Sequence, residues 1–173
     1  MDKYTIKKYE KTDSKIWNDF IDQAKNATFL FHRDFMEYHQ DRFEDFSLLV
    51  YENEKLVAVL PANIVDSTVY SHQGLTYGGL VLLPTSKLYN TITIFQSILK
   101  YLSKEDVTIF YLKQIPSIYC EYSSSELDYL MYVCKSKIAM KHNISVIDFG
   151  RKILISKSRK ECIRRGHKLG LFI

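Results

Sequence analysis

Two short stretches of the chain carry enough polar function to bind or react with a substrate. The first is His32-Arg33-Asp34, with Asp41 and Arg42 one to two helical turns further on. A guanidinium forks a phosphate or carboxylate through parallel N–H bonds. Carboxylates take sugar hydroxyls or an amine. The same residues also fit a solvated helix face with an Arg–Asp pair, worth only about 0–1 kcal/mol. The second stretch is His72-Gln73-Gly74 followed by Tyr77-Gly78-Gly79. Its three glycines lie within six residues and point to positive φ or to a close approach of the backbone. His72 titrates near neutrality and can act as base on an amine nucleophile. Tyr77 can orient a sugar or donate a proton. A bulged strand with a hydrogen-bonded histidine accounts for the same pattern.

Other chemistry is less supported. Cys120 has no basic partner close in sequence, and a buried or unused thiol explains it as well. The three cysteines, Cys120, Cys134 and Cys162, are widely spaced and odd in number, so they cannot all pair within the chain. Reduced thiols in the cytoplasm fit best. No His/Cys/Asp spacing reads as a ligand set, so no metal is expected. Residues 1–150 carry 16 Lys+Arg against 19 Asp+Glu, whereas 151–173 carry eight bases against Glu161 alone. The net charge of +4 therefore belongs to the tail. Nucleic acid is an unfavoured partner for it, because residues 151–171 lack aromatic rings for stacking and only Phe172 follows. A membrane is also unfavoured, because the tail's apolar face is narrow. No uninterrupted apolar run of about 18 residues spans a bilayer. The N-terminus has no apolar signal core.

The elements that must position these residues alternate in type. A first strand is expected over Tyr4–Tyr9. A helix capped by Thr12 or Asp13 follows over Asp13–Ala24, with Ile16, Trp17, Phe20, Ile21 and Ala24 on one face. A short helix is expected over Arg33–Arg42, where Phe35, His39 and Phe43 repeat at four. Ser47–Tyr51 and Leu56–Ile64 read as a hairpin, and Pro61 marks an edge or a bulge. Thr68–Ser71 and Gly74–Leu80 are expected strands. Ser86–Ser103 is a helix with Leu88, Ile92, Phe95, Leu99 and Leu102 in one stripe. Val107–Leu112 reads as a buried central strand. Ser123 and Glu126 form a capping-box pattern before a helix bearing Leu127, Leu130, Met131 and Cys134. Short strands near Ile138–Met140 and Ser145–Asp148 follow, then a basic helix opened by Ser158 and Glu161 and closed at Gly170. Such an order implies an α/β (α+β) fold, one mixed sheet flanked by helices on both faces. Its 173 residues and 14% aromatic content suit a single sheet-containing domain with a short appendage.

This order, with Thr28–Phe43, Leu60–Gly79 and Ser158–Leu171, resembles the GNAT acyl-CoA N-acyltransferases, and within them the FemAB-like subgroup of the sugar and polysaccharide pathways. The resemblance implies residues 1–150 as a GNAT-like domain, the first of two, and 151–173 as a basic interdomain helix. It implies transfer of an acyl group, from acyl-CoA as co-substrate, to the amine of a nucleotide-linked amino sugar. No cofactor would be held by this chain, and the donor would need a second GNAT-like domain or chain. The usual Gln/Arg-x-x-Gly-x-Gly/Ala turn that cradles the donor's pyrophosphate has no match here. On that reading His72 is the catalytic candidate. His32, Arg33, Asp34, Asp41, Arg42, Gln73, Tyr77 and Gly78 are the substrate-binding candidates. The competing reading is a catalytically silent GNAT-like domain that only binds a ligand or partner.

Overall fold

The computed structural model describes residues 3–152 and 154–171, with the backbone alone at His39. Phe172 lies outside the described residues. The chain divides into two compact units, Met1–Ser136 and Lys137–Ile173.

The first unit is a mixed α/β structure. Strand β1 (Tyr4–Lys8) leads into α1 (Ser14–Ile21) and the single-turn α2 (Arg33–Met36). Strands β2 (Glu44–Asp45), β3 (Leu48–Glu52), β4 (Lys55–Leu60), β5 (Asn63–Val65), β6 (Thr68–Tyr70) and β7 (Val81–Leu82) follow. Then come α3 (Leu88–Lys104), β8 (Ile109–Tyr111) and α4 (Glu126–Val133). The strands form two four-stranded sheets rather than the expected one, in the orders β1-β3-β4-β7 and β2-β5-β6-β8. The first is antiparallel throughout, and in the second only β6 and β8 run parallel. The sheets part where long strands break. Phe46-Ser47 separates β2 from β3, Pro61-Ala62 separates β4 from β5, and residues 71–80 separate β6 from β7. Pro61 brings no N–H to a ladder, so a break there costs least.

Helices cover both faces, because successive strand residues point to opposite sides. Leu48, Val50, Ala58 and Leu60 pack with Ile94, Phe95, Ile98 and Leu102 of α3 and with Leu127 and Leu130 of α4. On the other side Leu49, Val59 and Val81 pack with Trp17, Phe20 and Ile21 of α1. Each fully buried aliphatic side chain contributes about 1.5–3 kcal/mol. The Trp17 indole N–H also donates to the Phe31 carbonyl at 2.8 Å, which ties α1 to the turn before α2.

Several expectations need correction. The segment expected as a central strand, Val107–Leu112, supplies β8 at the edge of its sheet, with Ile109 48% and Tyr111 44% exposed. Phe110 alone of the three packs inward, and the Tyr111 ring stacks on Tyr70 at 5.2 Å. Gly74–Leu80 is not a strand. It loops, and a bridge pairs Gly78 with Gln114 in the segment after β8. Helix α2 is one turn, continued by a 3-10 turn at Glu37–His39, not a helix to Arg42. Helix α3 buries Thr91, Ile94, Phe95, Ile98 and Leu102, a stripe rotated from the expected one, which leaves Leu88 and Leu99 outside. Helix α1 leaves Ile16 exposed. Glu126 and Asp13 do not cap their helices: Glu126 pairs with Lys25, and Asp13 accepts from Lys7 and the Glu10 N–H.

In the second unit the expected strands at 138–140 and 145–148 are absent among the described residues, and those residues are exposed. Helix α5 (Lys157–Lys168) begins after Ser156, two residues earlier than the Ser158 box implied, and makes no side-chain cap. It closes as expected with Gly170 at φ +75°, the left-handed geometry that glycine takes without cost.

The end of β7 is held by one buried side chain. The Asn26 amide donates to the Leu80 carbonyl at 2.9 Å, and its oxygen accepts the Leu82 N–H at 2.8 Å. Asn26→Ala leaves both buried backbone groups unsatisfied, so we expect a loss of about 2–4 kcal/mol in urea unfolding. A loss under about 0.5 kcal/mol, the range of a neutral surface change, would show that the strand end holds itself.

Candidate functional site

Arg33 opens α2, its own N–H donating to the Asn18 side chain at 2.9 Å. That anchor turns its side chain inward, where it is 2% exposed. The guanidinium carbon lies 3.5 Å from the Tyr9 ring centroid and 5.2 Å from that of Trp17, a cation–π seat. Its nitrogens reach the Ser47 hydroxyl at 3.2 Å and Glu37 at 3.5 Å, and pair directly with Asp45. A charge taken this far from water is tolerable only when paired and hydrogen-bonded. Arg33 is therefore spent on its own protein, and its fork is not open to a substrate anion.

That network leaves a surplus of negative charge beside it. An open cavity of about 330 Å³ is lined by Tyr9, Lys11, Arg33, Glu37, Gln40, Phe43, Glu44 and Asp45. Three carboxylates face two cations there, and one cation is buried in pairs. The Tyr9 hydroxyl donates to Glu37 at 3.1 Å. Burial pushes the Tyr9 phenol above its usual range, with Arg33 opposing, so it stays a donor at neutral pH.

The second stretch meets this cavity through Phe43. The Phe43 ring stands edge-on to His72 at 5.6 Å. His72 is 4% exposed and holds φ +68°, unusual outside glycine. Gln73 is clasped by buried Asn63: its N–H donates to Asn63 Oδ1 at 2.7 Å, and Asn63 Nδ2 donates back to its side-chain oxygen at 2.8 Å. Gly78 is needed for packing, because a Cβ there would sit 1.9 Å from the Ser71 carbonyl oxygen. Tyr77 turns elsewhere. Its hydroxyl meets Thr28 Oγ1 at 3.0 Å, and its ring contacts Phe31 and Tyr119.

The structure thus joins Arg33 and, behind Phe43, His72, while Gln73 is exposed and held by Asn63. His32 instead pairs with Asp22 at 3.1 Å, and Asp34 is exposed. Asp41 and Arg42 are exposed on the turn between Gln40 and Phe43. Sequence reasoning missed Tyr9, Glu37, Glu44 and Asp45. Glu37 lies four residues after Arg33 and was findable as an i,i+4 pair. Asp45 and Tyr9 meet Arg33 only through tertiary contacts.

A separate titratable cluster lies under α4. Buried Lys25 pairs with Glu126, which also accepts from the Ser124 hydroxyl at 3.2 Å. Burial alone would raise the Glu126 carboxyl, but the Lys25 hydrogen bond and its other donors outweigh it and hold the pKa below its ordinary value. Cys120 is half-buried, and burial pushes its thiol up, Lys25 opposing, which leaves it a poor nucleophile. Among the described residues no group of three or more His, Cys, Asp or Glu is placed to hold a metal ion. None of the helices described is long and apolar enough to cross a membrane.

No family model matches the chain. No curated protein matches it either. Among solved structures it is similar to the ribosomal-protein-S18-alanine N-acetyltransferase of Escherichia coli, at 16% identity and a TM-score of 0.41, over 60% of this chain and 62% of that one. It is similar to the PaiA N-acetyltransferase of Thermoplasma acidophilum in complex with coenzyme A, at 12% identity and a TM-score of 0.40, over 76% and 87% of the two chains. A GNAT family acetyltransferase of Staphylococcus aureus matches at 8% identity and a TM-score of 0.37, over 87% and 99%. All three TM-scores lie below one half. The fold class therefore rests on the strand pairing and helices described above, and function on the site.

Two outcomes test this geometry. Arg33→Met leaves Asp45 and Glu37 without their cation, and we expect unfolding to become easier by about 3 kcal/mol. Arg33→Lys should not restore the loss, because an ammonium cannot stack on Tyr9 and fork Asp45 at once. Full recovery with lysine would reduce Arg33 to a simple point charge. For Glu126 the folded pKa is depressed, so its stabilisation is present above the ordinary carboxylate pKa and is lost as pH falls through the lower folded value. Stability measured against pH should lose part of that acid limb in Glu126→Gln, and an unchanged limb would show the pair to be inert.

Proposed function

We propose that the chain is the acceptor-side half of an N-acyltransferase of the GNAT type, FemAB-like, acting on the amine of a nucleotide-linked amino sugar. The observation that carries this reading is the carboxylate surplus of the cavity beside α2. Glu37, Glu44 and Asp45 favour a protonated amine there, while Lys11 at the rim suits a phosphate. In the transfer the deprotonated amine attacks the thioester carbonyl, the C–N bond forms, the C–S bond breaks, and the thiolate of the donor leaves. A carboxylate of the cavity takes the ammonium's proton before the attack, the departing thiolate takes the second proton from the nitrogen, and the protein supplies proximity and orientation. Acyl-CoA is the co-substrate on this reading. A second GNAT-like domain or chain beyond the basic segment 151–173 would hold it, in the cytoplasm. His72 acts as a packing residue for Phe43 in this scheme rather than as the base.

A second reading, a catalytically silent domain that only binds, is favoured by one observation: both Arg33 and His72 are buried among protein partners. Calorimetry with a uridine diphosphate amino sugar and with its N-acetylated counterpart tests the site under either reading. We expect the free amine to bind at least about tenfold tighter, near 1.4 kcal/mol, and Glu44→Gln to erase most of that preference. Equal affinity for the two sugars would refute the amine site. Acetyl transfer after a donor-binding domain is added separates the catalytic reading from the silent one.

A further inference from the structure

The second unit has an unusual pairing of properties. Residues 137–173 hold ten Lys+Arg against Asp148 and Glu161. Helix α5 has no buried residue. Its bases Lys157, Lys160, Arg164 and Lys168 recur at i, i+3, i+7 and i+11, which on a helix is one stripe along its whole length. Arg165 lies beside that stripe, and the one acid, Glu161, lies within it. The other side of the helix carries Cys162, Ile163, Gly166 and Leu169, with Arg159 among them in the first turn. Large apolar residues flank the helix in the open as well: Leu154 is 88% exposed, Leu169 80% and Leu171 65%.

We propose that this unit docks on an anionic lipid surface, with α5 lying in the interface. The two faces match the two layers of such a surface. Bases gather at the phosphate level while Ile163 and Leu169, with Leu154, enter the acyl boundary. Charge complementarity alone would suit a nucleic acid equally, but a nucleic acid leaves the exposed leucines in water. Helix α5 itself offers no Tyr, Phe or Trp on which bases could stack, and the exposed Phe149 ring lies outside the helix. An anionic bilayer uses both faces at once. The inference does not rest on the acyl-transfer reading, since it concerns other residues and another ligand.

Co-sedimentation of the full chain with vesicles tests it. Vesicles of phosphatidylcholine with about one-third phosphatidylglycerol, against phosphatidylcholine alone, should bind the chain at least about tenfold more, and salt should weaken binding. Each base near an anionic surface multiplies partitioning about fivefold. Lys160→Gln, Arg164→Gln and Lys168→Gln together should therefore cost about a hundredfold. Arg164→Lys should keep binding intact. Ile163→Ser with Leu169→Ser, which leaves the charge alone, should also weaken binding several-fold. Three results overturn the proposal: equal binding to both vesicle types, no effect of the serine pair, or retention on double-stranded DNA or polyuridine with none on anionic vesicles.

Discussion

A buried guanidinium organises the first unit. Arg33 is a fixed charge that cannot shed its proton, so everything around it must compensate. Tyr9 just after β1 offers a ring face, Asp45 of β2 a carboxylate, Glu37 a second one, and Ser47 a hydroxyl. These four partners come from three places in the chain, since Asp45 and Ser47 lie two residues apart. The Ser47 hydroxyl then does double duty. It donates to the Ala62 carbonyl at 3.3 Å and accepts the Ala62 N–H at 3.2 Å. The points where β2 gives way to β3 and β4 to β5 are thus bonded to each other and to Arg33. The Phe46 N–H also donates to the Ala62 carbonyl at 2.9 Å, which carries the pairing across the break. A helix turn, a strand end and both sheets share one electrostatic knot.

The cavity follows from that knot. Compensating one buried cation by two carboxylates leaves net negative charge at the surface, and Glu44 adds to it. Phe43 closes the far wall and at the same time covers His72. Gly74 fits there because it is small: a Cβ would sit 2.7 Å from the Phe43 ring. Residues 71–80 are shaped by close backbone approach, as at Gly78 on Ser71 and Gly79 at φ +105°. The glycines serve packing between β6 and the segment after β8, which the Lys113 N–H continues by donating to the Ser71 hydroxyl at 2.7 Å. Ser71 and His72 among them are consequently buried, while Gln73 is exposed but tied to Asn63.

Charge divides the two units. Net positive charge is confined to 137–173, where nothing apolar is buried in α5, while the first unit buries its apolar residues in two clusters. A segment with ten bases and two acids repels itself and gains little from its own few apolar contacts. Its apolar side chains therefore stay in the open, and its character is that of a surface rather than a core.

The sequence by itself determined where α1, α3, α4 and α5 lie, where the hairpin at 52–55 turns, that Pro61 interrupts a strand, that Gly170 ends the last helix, and that the basic charge sits in the tail. These are local matters, set by periodicity, φ preference and composition. Tertiary structure decided the rest. Both apolar stripes of α3 satisfy a helical period, and only the strands it meets choose Ile94 and Ile98 over Leu88 and Leu99. The run at Val107–Leu112 looks central by composition, yet it is an edge, because Tyr111 can lie on Tyr70 with its hydroxyl near water. Arg33 reads as a ligand fork from its neighbours in sequence. Its partners Tyr9, Asp45 and Ser47 lie 12 or more residues away, and no spacing rule links residues that meet only when strands and helices pack.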